Sequence, residues 1–156
     1  MEIFHVEAVD VVHCESTRMG TLRNTIIPLA GQRILIAEDE SLIALDLEAI
    51  LERFGCTVVG PAARVEQVLR YALEGGCDGA LLDVNLRGQQ IFEILPRLQA
   101  LGLPFIITSG YQDLTFFPVI FRALPRIAKP VNEAELRRTC ERVFCNPASR
   151  ARIRTN

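Results

Sequence analysis

Glu38-Asp39-Glu40, Asp83, Ser109 and Lys129 are the residues of this chain whose types and placement could do chemistry together. Each stands where a short apolar run ends: residues 33–37, 79–82, 104–108 and 126–128. Clustered carboxylates repel one another and call for a hard cation. Mg2+ takes oxygen ligands and keeps several waters, which leaves positions for phosphoryl oxygens. A carboxylate can also accept a phosphoryl group as an aspartyl-phosphate. That transfer puts charge on three equatorial oxygens, and a cation, the Lys129 ammonium and the Ser109 hydroxyl would answer it. Each residue alone has a blander reading. Asp83 and Ser109 suit turns, Glu38 and Asp39 suit solvated charges near a helix N-terminus, and Lys129 suits a surface. Four such coincidences along one edge favour a site.

The elements that must bring them together are legible from hydrophobic period. The run at 33–37 is a compact strand, and Ser41 is read as the cap of the helix that follows. Ile43, Leu47, Ile50 and Phe54 form its apolar ridge, and Gly55 ends it. A second strand at 57–59 is stopped by Gly60-Pro61, and a second helix at 65–73 turns Val65, Val68, Leu69 and Ala72 inward. The stretch 79–88 reads as a buried strand ending on Asp83, then a Gly-terminated loop. A third helix runs through Ile91, Ile94, Leu95, Leu98 and Leu101, with Pro96 marking a kink or a late start. The fourth strand is 104–108, and a short helix near 118–122 begins at Pro118. The fifth strand is 126–128, and Asn132 caps a last helix through Leu136, Val143 and Phe144. Strand and helix thus alternate five times with short connections, the pattern of a parallel sheet covered on both faces. Ends of parallel strands open on one edge, so the polar residues should converge.

The 156 residues suit one domain, and 49% apolar content supplies a core. A net charge of −2 shows no basic excess for nucleic acid, and no apolar run reaches membrane-spanning length. Five cysteines without a C-x-x-C pair read as reduced thiols of a cytoplasmic protein. Residues 1–31 read as a loosely attached extension, or as a translation start placed too early, with Met19 as the alternative. With Glu2, Glu7 and Asp10 in place of a basic start the stretch does not resemble a signal peptide, and the spacing of His5, His13 and Cys14 fits no known metal site. Residues 146–156 read as a frayed polar tail.

Taken together, Glu38-Asp39-Glu40 after the first strand, Leu81-Leu82-Asp83, Thr108-Ser109-Gly110 and Lys129-Pro130 resemble the receiver domain of two-component response regulators, over residues 32–145. The resemblance implies a doubly wound, flavodoxin-like α/β fold. Its five-stranded parallel sheet would have order 2-1-3-4-5, helices on both faces and a switch point between the first and third strands. It also implies roles. Asp83 would be the phosphoacceptor, Lys129 would pair with the phosphoryl group, and Ser109 would be the switch hydroxyl. Mg2+ would be held by Asp39, Asp83 and the Asn85 backbone carbonyl, with Glu38 acting mainly through metal-bound water. The Lys129–Pro130 peptide would be cis. The implied function is a phosphorelay switch, charged by a sensor histidine kinase or phosphotransfer protein. It would signal to a downstream protein through the surface of the fourth helix, fifth strand and fifth helix. Such a domain is not an enzyme in the ordinary sense, although it catalyses its own phosphoryl transfer from phosphohistidine and its own dephosphorylation. The wording Asp83-Val84-Asn85-Leu86-Arg87-Gly88, with Pro104-Phe105 and Ser109-Gly110-Tyr111, is similar to stand-alone proteobacterial receivers, some of which work with kinases of the HWE type.

One position departs from the pattern. Arg126 stands three residues before Lys129, where receivers usually carry Tyr or Phe. Three other readings compete. A flavodoxin-type FMN carrier would need a phosphate-holding loop where Glu38-Asp39-Glu40 stands. An aspartate-nucleophile phosphatase would want a carboxylate where Asn85 stands. A receiver-like interaction module that works without phosphorylation keeps Arg126 in its favour. With no second domain expected after the last helix, output should pass through another protein. The crowded Phe116, Phe117, Val119, Ile120 and Phe121 are the expected docking patch, unless most of them pack under the last helix.

Overall fold

In the computed structural model, residues 28–110 and 114–145 are described, so the expectations for 1–27, for the 111–113 part of the loop after Gly110 and for 146–156 lie outside them. The strands are β1 (Arg33–Ala37), β2 (Thr57–Ala62), β3 (Gly79–Asp83), β4 (Asn85–Leu86), β5 (Gln89–Gln90), β6 (Phe105–Ser109) and β7 (Arg126–Ala128). Five of them pair in parallel in the order β2-β1-β3-β6-β7, while β4 and β5 pair antiparallel with each other. Counted along the large sheet alone, this is the order 2-1-3-4-5 that the motifs implied.

Strand side chains alternate between faces, and two cores follow from that period. Ile34, Ile36, Leu81, Ile106 and Ile127 face α1 (Ser41–Arg53) and α4 (Glu133–Phe144), together with Phe54 and Leu29. Leu35, Ala37, Ala80, Leu82, Phe105 and Ile107 face α2 (Val65–Leu73) and α3 (Leu95–Ala100), together with Phe92, Phe117 and Phe121. The first packing is close. A Cβ added at Gly79 would stand 2.6 Å from the Phe144 ring, so α4 lies on β3 only because that residue has no side chain.

Several local expectations are corrected. Ser41 does not cap α1; Glu40 is the N-cap, without a side-chain bond, and Ser41 is already helical. The buried positions of α1 are Ala44, Leu47, Ile50 and Leu51, and Ile43 is only half-buried. Gly60-Pro61 does not stop β2. The strand continues to Ala62 because an irregularity opposite Leu35–Ala37 absorbs the proline, which keeps it off the ladder, and Gly60 takes φ +99°. Pro96 marks the late start, not a kink: a 3-10 turn at Ile91–Glu93 precedes α3, where the proline sits in the first turn.

Between β6 and β7 no α-helix occurs among the described residues. Two 3-10 turns, Leu114–Phe116 and Val119–Phe121, stand there, and Pro118 precedes the second turn instead of opening a helix. Pro118 at φ −52° and ψ +139° is extended, which breaks any helix at that point. The aromatic residues of this segment divide. Phe117 and Phe121 are buried against Phe92, whose ring stacks on that of Phe121, while Phe116, Val119 and Ile120 are exposed. The buried pair therefore packs on the α2/α3 side of the sheet, not under the last helix. No helix among the described residues is long and apolar enough to cross a membrane.

Candidate functional site

Register decides which side chains meet. Ala37 pairs Leu82, Asp83 pairs Thr108, and Thr108 pairs Ile127, so the residues that follow β1, close β3 and follow β7 share one edge of the sheet. Glu38 follows β1 and its N–H donates to the Ala62 carbonyl, which holds it in line with the strand. Asp83 closes β3 at the switch point between β1 and β3. Ser109 closes β6, is 2% exposed, and accepts from the Lys129 N–H through its carbonyl at 2.9 Å. That bond fixes the start of the Lys129 side chain beside the acidic edge.

The Lys129 ammonium bridges two carboxylates. It donates to Glu38 Oε2 at 2.6 Å and pairs with Asp83 Oδ2 at 2.9 Å. The Lys129–Pro130 peptide is cis, as expected. Glu38, Asp39 and Asp83 each offer a carboxylate oxygen within 4.8 Å of the others. Glu38 and Asp83 are buried, while Asp39 is half-buried at the rim. One ammonium faces three carboxylates, so the cluster keeps an excess of negative charge in a poorly hydrated place. Burial pushes the Asp83 carboxyl above the usual range, Lys129 opposes that, and the Glu38 charge reinforces it. Burial works against the Lys129 ammonium, but its two carboxylate partners outweigh this and raise its pKa.

The all-oxygen, partly open donor set suits a hard cation such as Mg2+. Within this set, Glu38, Asp39, Asp83 and Lys129 are brought together by direct distances, and Ser109 by register. Asn85 lies two residues past Asp83, and its backbone N–H favours the ionised form of the Asp83 carboxyl. Its side chain turns the other way, accepting from the Gly88 N–H at 2.7 Å.

Sequence reading missed three of the contacts. The Glu40 N–H donates to Glu38 Oε1 at 3.1 Å, Lys129 binds Glu38 as well as Asp83, and the Arg87 N–H donates to Asp39 Oδ2 at 3.1 Å. The last depends on the β4–β5 ribbon, whose only signal was Arg87-Gly88 between two short extended pieces. Arg126, at the position of the usual aromatic residue, lays its guanidinium over the Phe117 ring at 5.7 Å and donates to the Arg122 carbonyl.

Known proteins share sequence and fold with this chain. Over 83 residues the chain is 34% identical to the phyllosphere-induced regulator PhyR of Methylorubrum extorquens, covering 51% of this chain and 31% of that one. The chain spans about half or less of the curated relatives it matches. The solution structure of SdrG from Sphingomonas melonis Fr1 superposes with a TM-score of 0.62 at 36% identity, covering 70% of this chain and 92% of SdrG. SdrG is also solved in a BeF3-activated conformation. The receiver domain of the sensor histidine kinase PA1611 from Pseudomonas aeruginosa PAO1 has a magnesium ion coordinated in its active-site cleft. It superposes with a TM-score of 0.61 at 25% identity, over 75% of this chain and all of that domain (100%). The family model for the response regulator receiver domain matches residues 34–141, and this chain belongs to that family.

Proposed function

We propose that this chain is a phosphoryl-accepting switch of a two-component phosphorelay, that residues 32–145 carry the switch, and that Asp83 is its acceptor. The observation that carries the reading is the Lys129 ammonium held between Glu38 and Asp83 at the switch point of a receiver fold. An Asp83 oxygen attacks the phosphorus of a phosphohistidine on a sensor kinase or phosphotransfer protein. The N–P bond breaks, its electron pair stays on the imidazole nitrogen, and that nitrogen takes a proton. Lys129 turns from Asp83 toward the new phosphoryl oxygens while Glu38 keeps hold of it. Ser109 offers its hydroxyl to the same oxygens from the end of β6. Glu38, Asp39, Asp83 and the Asn85 carbonyl would hold Mg2+. When bound, the ion neutralises charge that develops on the phosphoryl oxygens. The same residues serve the removal of the group: water attacks the phosphorus, the bond from phosphorus to the Asp83 oxygen breaks, and inorganic phosphate leaves with the carboxylate restored. The reading belongs to the cytoplasm, where thiols such as those of Cys56, Cys77 and Cys140 stay reduced.

Output passes to another protein through the segment before β7. Phe116, Val119 and Ile120 stand exposed beside Arg122 and Arg126. Movement of Ser109 toward a phosphorylated Asp83 would shift this segment through the backbone, because Arg126 supplies no aromatic ring to swing. Arg126 also favours a second reading, an interaction module that works without phosphorylation.

Intact mass after incubation with Mg2+ and a small phosphodonor separates the two readings. The expected result is the gain of one phosphoryl group, lost in Asp83→Asn and in excess chelator. Absence of any gain in the natural chain would leave the interaction module. An unchanged gain in Asp83→Asn would overturn Asp83 as acceptor.

A further inference from the structure

Asp39 is the one carboxylate of the cluster that lies at the rim, and its partner comes from a loop that the chemistry above does not use. β4 and β5 are joined by Arg87-Gly88, with Leu86 paired to Gln89 and Asn85 to Gln90. Both loop residues are left-handed: Arg87 has φ +52° and Gly88 has φ +86°. Positive φ at both central residues matches a two-residue hairpin turn of the I′ kind, usually built from Asn-Gly or Gly-Gly. Arg87 is the only non-glycine residue with positive φ among the described residues. A side chain pays steric strain for that conformation.

The strained turn has two consequences. It aims the Arg87 N–H at Asp39 Oδ2, 3.1 Å away and 48 positions earlier in the chain. It also aims the Gly88 N–H at Asn85 Oδ1, which keeps the Asn85 side chain out of the acidic cluster. The β4–β5 ribbon therefore leaves β3 two residues after Asp83 and is tied to Asp39 through Arg87.

We infer that Arg87 is a positioning residue for Asp39: its left-handed backbone holds the Asp39 carboxylate by one oxygen, so that the carboxylate is already oriented when Mg2+ arrives. This rests on the metal reading given under Proposed function. The same loop would report occupancy, because a displacement of Asp39 pulls on Arg87 and hence on the ribbon. Outer groups that fix a ligand in this way typically contribute 10–100-fold to metal affinity. What matters at position 87 is the backbone angle, not the guanidinium.

Three variants of the full chain separate backbone from charge. Arg87→Asn removes the charge and tolerates φ > 0. Arg87→Val removes the charge and resists φ > 0. Gly88→Ala adds a Cβ that meets nothing within 4 Å, so it acts through φ alone. Calorimetric titration with Mg2+ alone, with no phosphodonor, is the measurement. Arg87→Asn should bind within about twofold of the natural chain. Arg87→Val should bind about 10-fold more weakly, and Gly88→Ala should weaken in the same direction. The urea midpoints should stay close together, because positions 87 and 88 are exposed, and far-UV circular dichroism verifies that each variant is folded. If Arg87→Val and Arg87→Asn bind Mg2+ equally, whether both normally or both weakly, the positioning role is overturned while the metal reading stands. If the natural chain binds no Mg2+, the metal reading falls and takes this inference with it.

Discussion

On one face of the sheet, α1 and α4 run 13 and 12 residues and shut the core down to Phe144 and Phe54. On the other, α2 and α3 run nine and six residues, and two 3-10 turns stand before β7. There Arg126 and Ala128 of β7 remain exposed, as do Phe116, Val119 and Ile120. The difference lies in how each face is covered, not in the strands, which alternate equally on both. Long helices bury a whole stripe of the sheet, whereas 3-10 turns bury single residues and leave their neighbours in water. The first face can hold the ends of β1 and β3 rigid. The second leaves apolar and cationic side chains exposed in the segment before β7.

Truncations sharpen the contrast most. Phe144→Ala should cost about 3–5 kcal/mol, because the buried ring fills the contact with Gly79 and its removal leaves a cavity there. Phe121→Ala should cost less than Phe144→Ala in the same urea series, since the 3-10 turns can settle inward. A larger loss at Phe121 would break the comparison.

The site between the faces comes next. Lys129→Met leaves Glu38 and Asp83 without their ammonium and should cost about 3 kcal/mol near neutrality. The sign with pH follows from the shifts. The Lys129 pKa is raised in the fold, so its contribution is complete below the ordinary lysine value of about 10.4 and is lost as pH climbs through the raised value. Asp83 is also raised, mainly by burial, so its ionised form opposes folding and that opposition fades as pH falls through its raised pKa. The gap between Lys129→Met and the natural chain should therefore be widest near neutrality. It should close in acid, where Asp83 takes up a proton, and again in strong alkali. Denaturation midpoints across pH test this, and a gap independent of pH would refute the electrostatic account.

The smallest effect belongs to the exposed patch. Ile120→Ser should shift stability by no more than about 0.5 kcal/mol, although its neighbour Phe121 is part of the core. A loss similar to that of Phe121→Ala would mean that the patch is structural. Thiol labelling of the native chain supplies a kinetic check, after the half-exposed Cys145 is accounted for. Burial pushes the Cys77 thiol up to about 11 and the Cys140 thiol further up. With its face the less completely covered, Cys77 should react before Cys140, and the reverse order would count against the contrast.

Most of the fold was legible because the strands are short, continuous apolar runs that end on polar residues, and because the alternation of strand and helix allows few topologies. The candidate site was legible for the same reason: Glu38, Asp83, Ser109 and Lys129 sit at or next to strand ends, and parallel strands bring such ends to one edge. The helix at 65–73 and the Asn132 cap were also readable, since their apolar spacing and cap chemistry are local. Tertiary structure alone decided the rest. Whether Pro118 opens a helix or breaks one depends on where Phe117 and Phe121 find Phe92, a contact distant in the chain. Whether Gly60-Pro61 ends β2 depends on the bulge opposite β1. The left-handed Arg87 carries no signal of its own, because its conformation is imposed by a two-residue hairpin and repaid by a hydrogen bond to Asp39. The bridge from Lys129 to both Glu38 and Asp83 is of the same kind. Residue types supplied the charges, but only the packed sheet edge set which oxygen each proton faces.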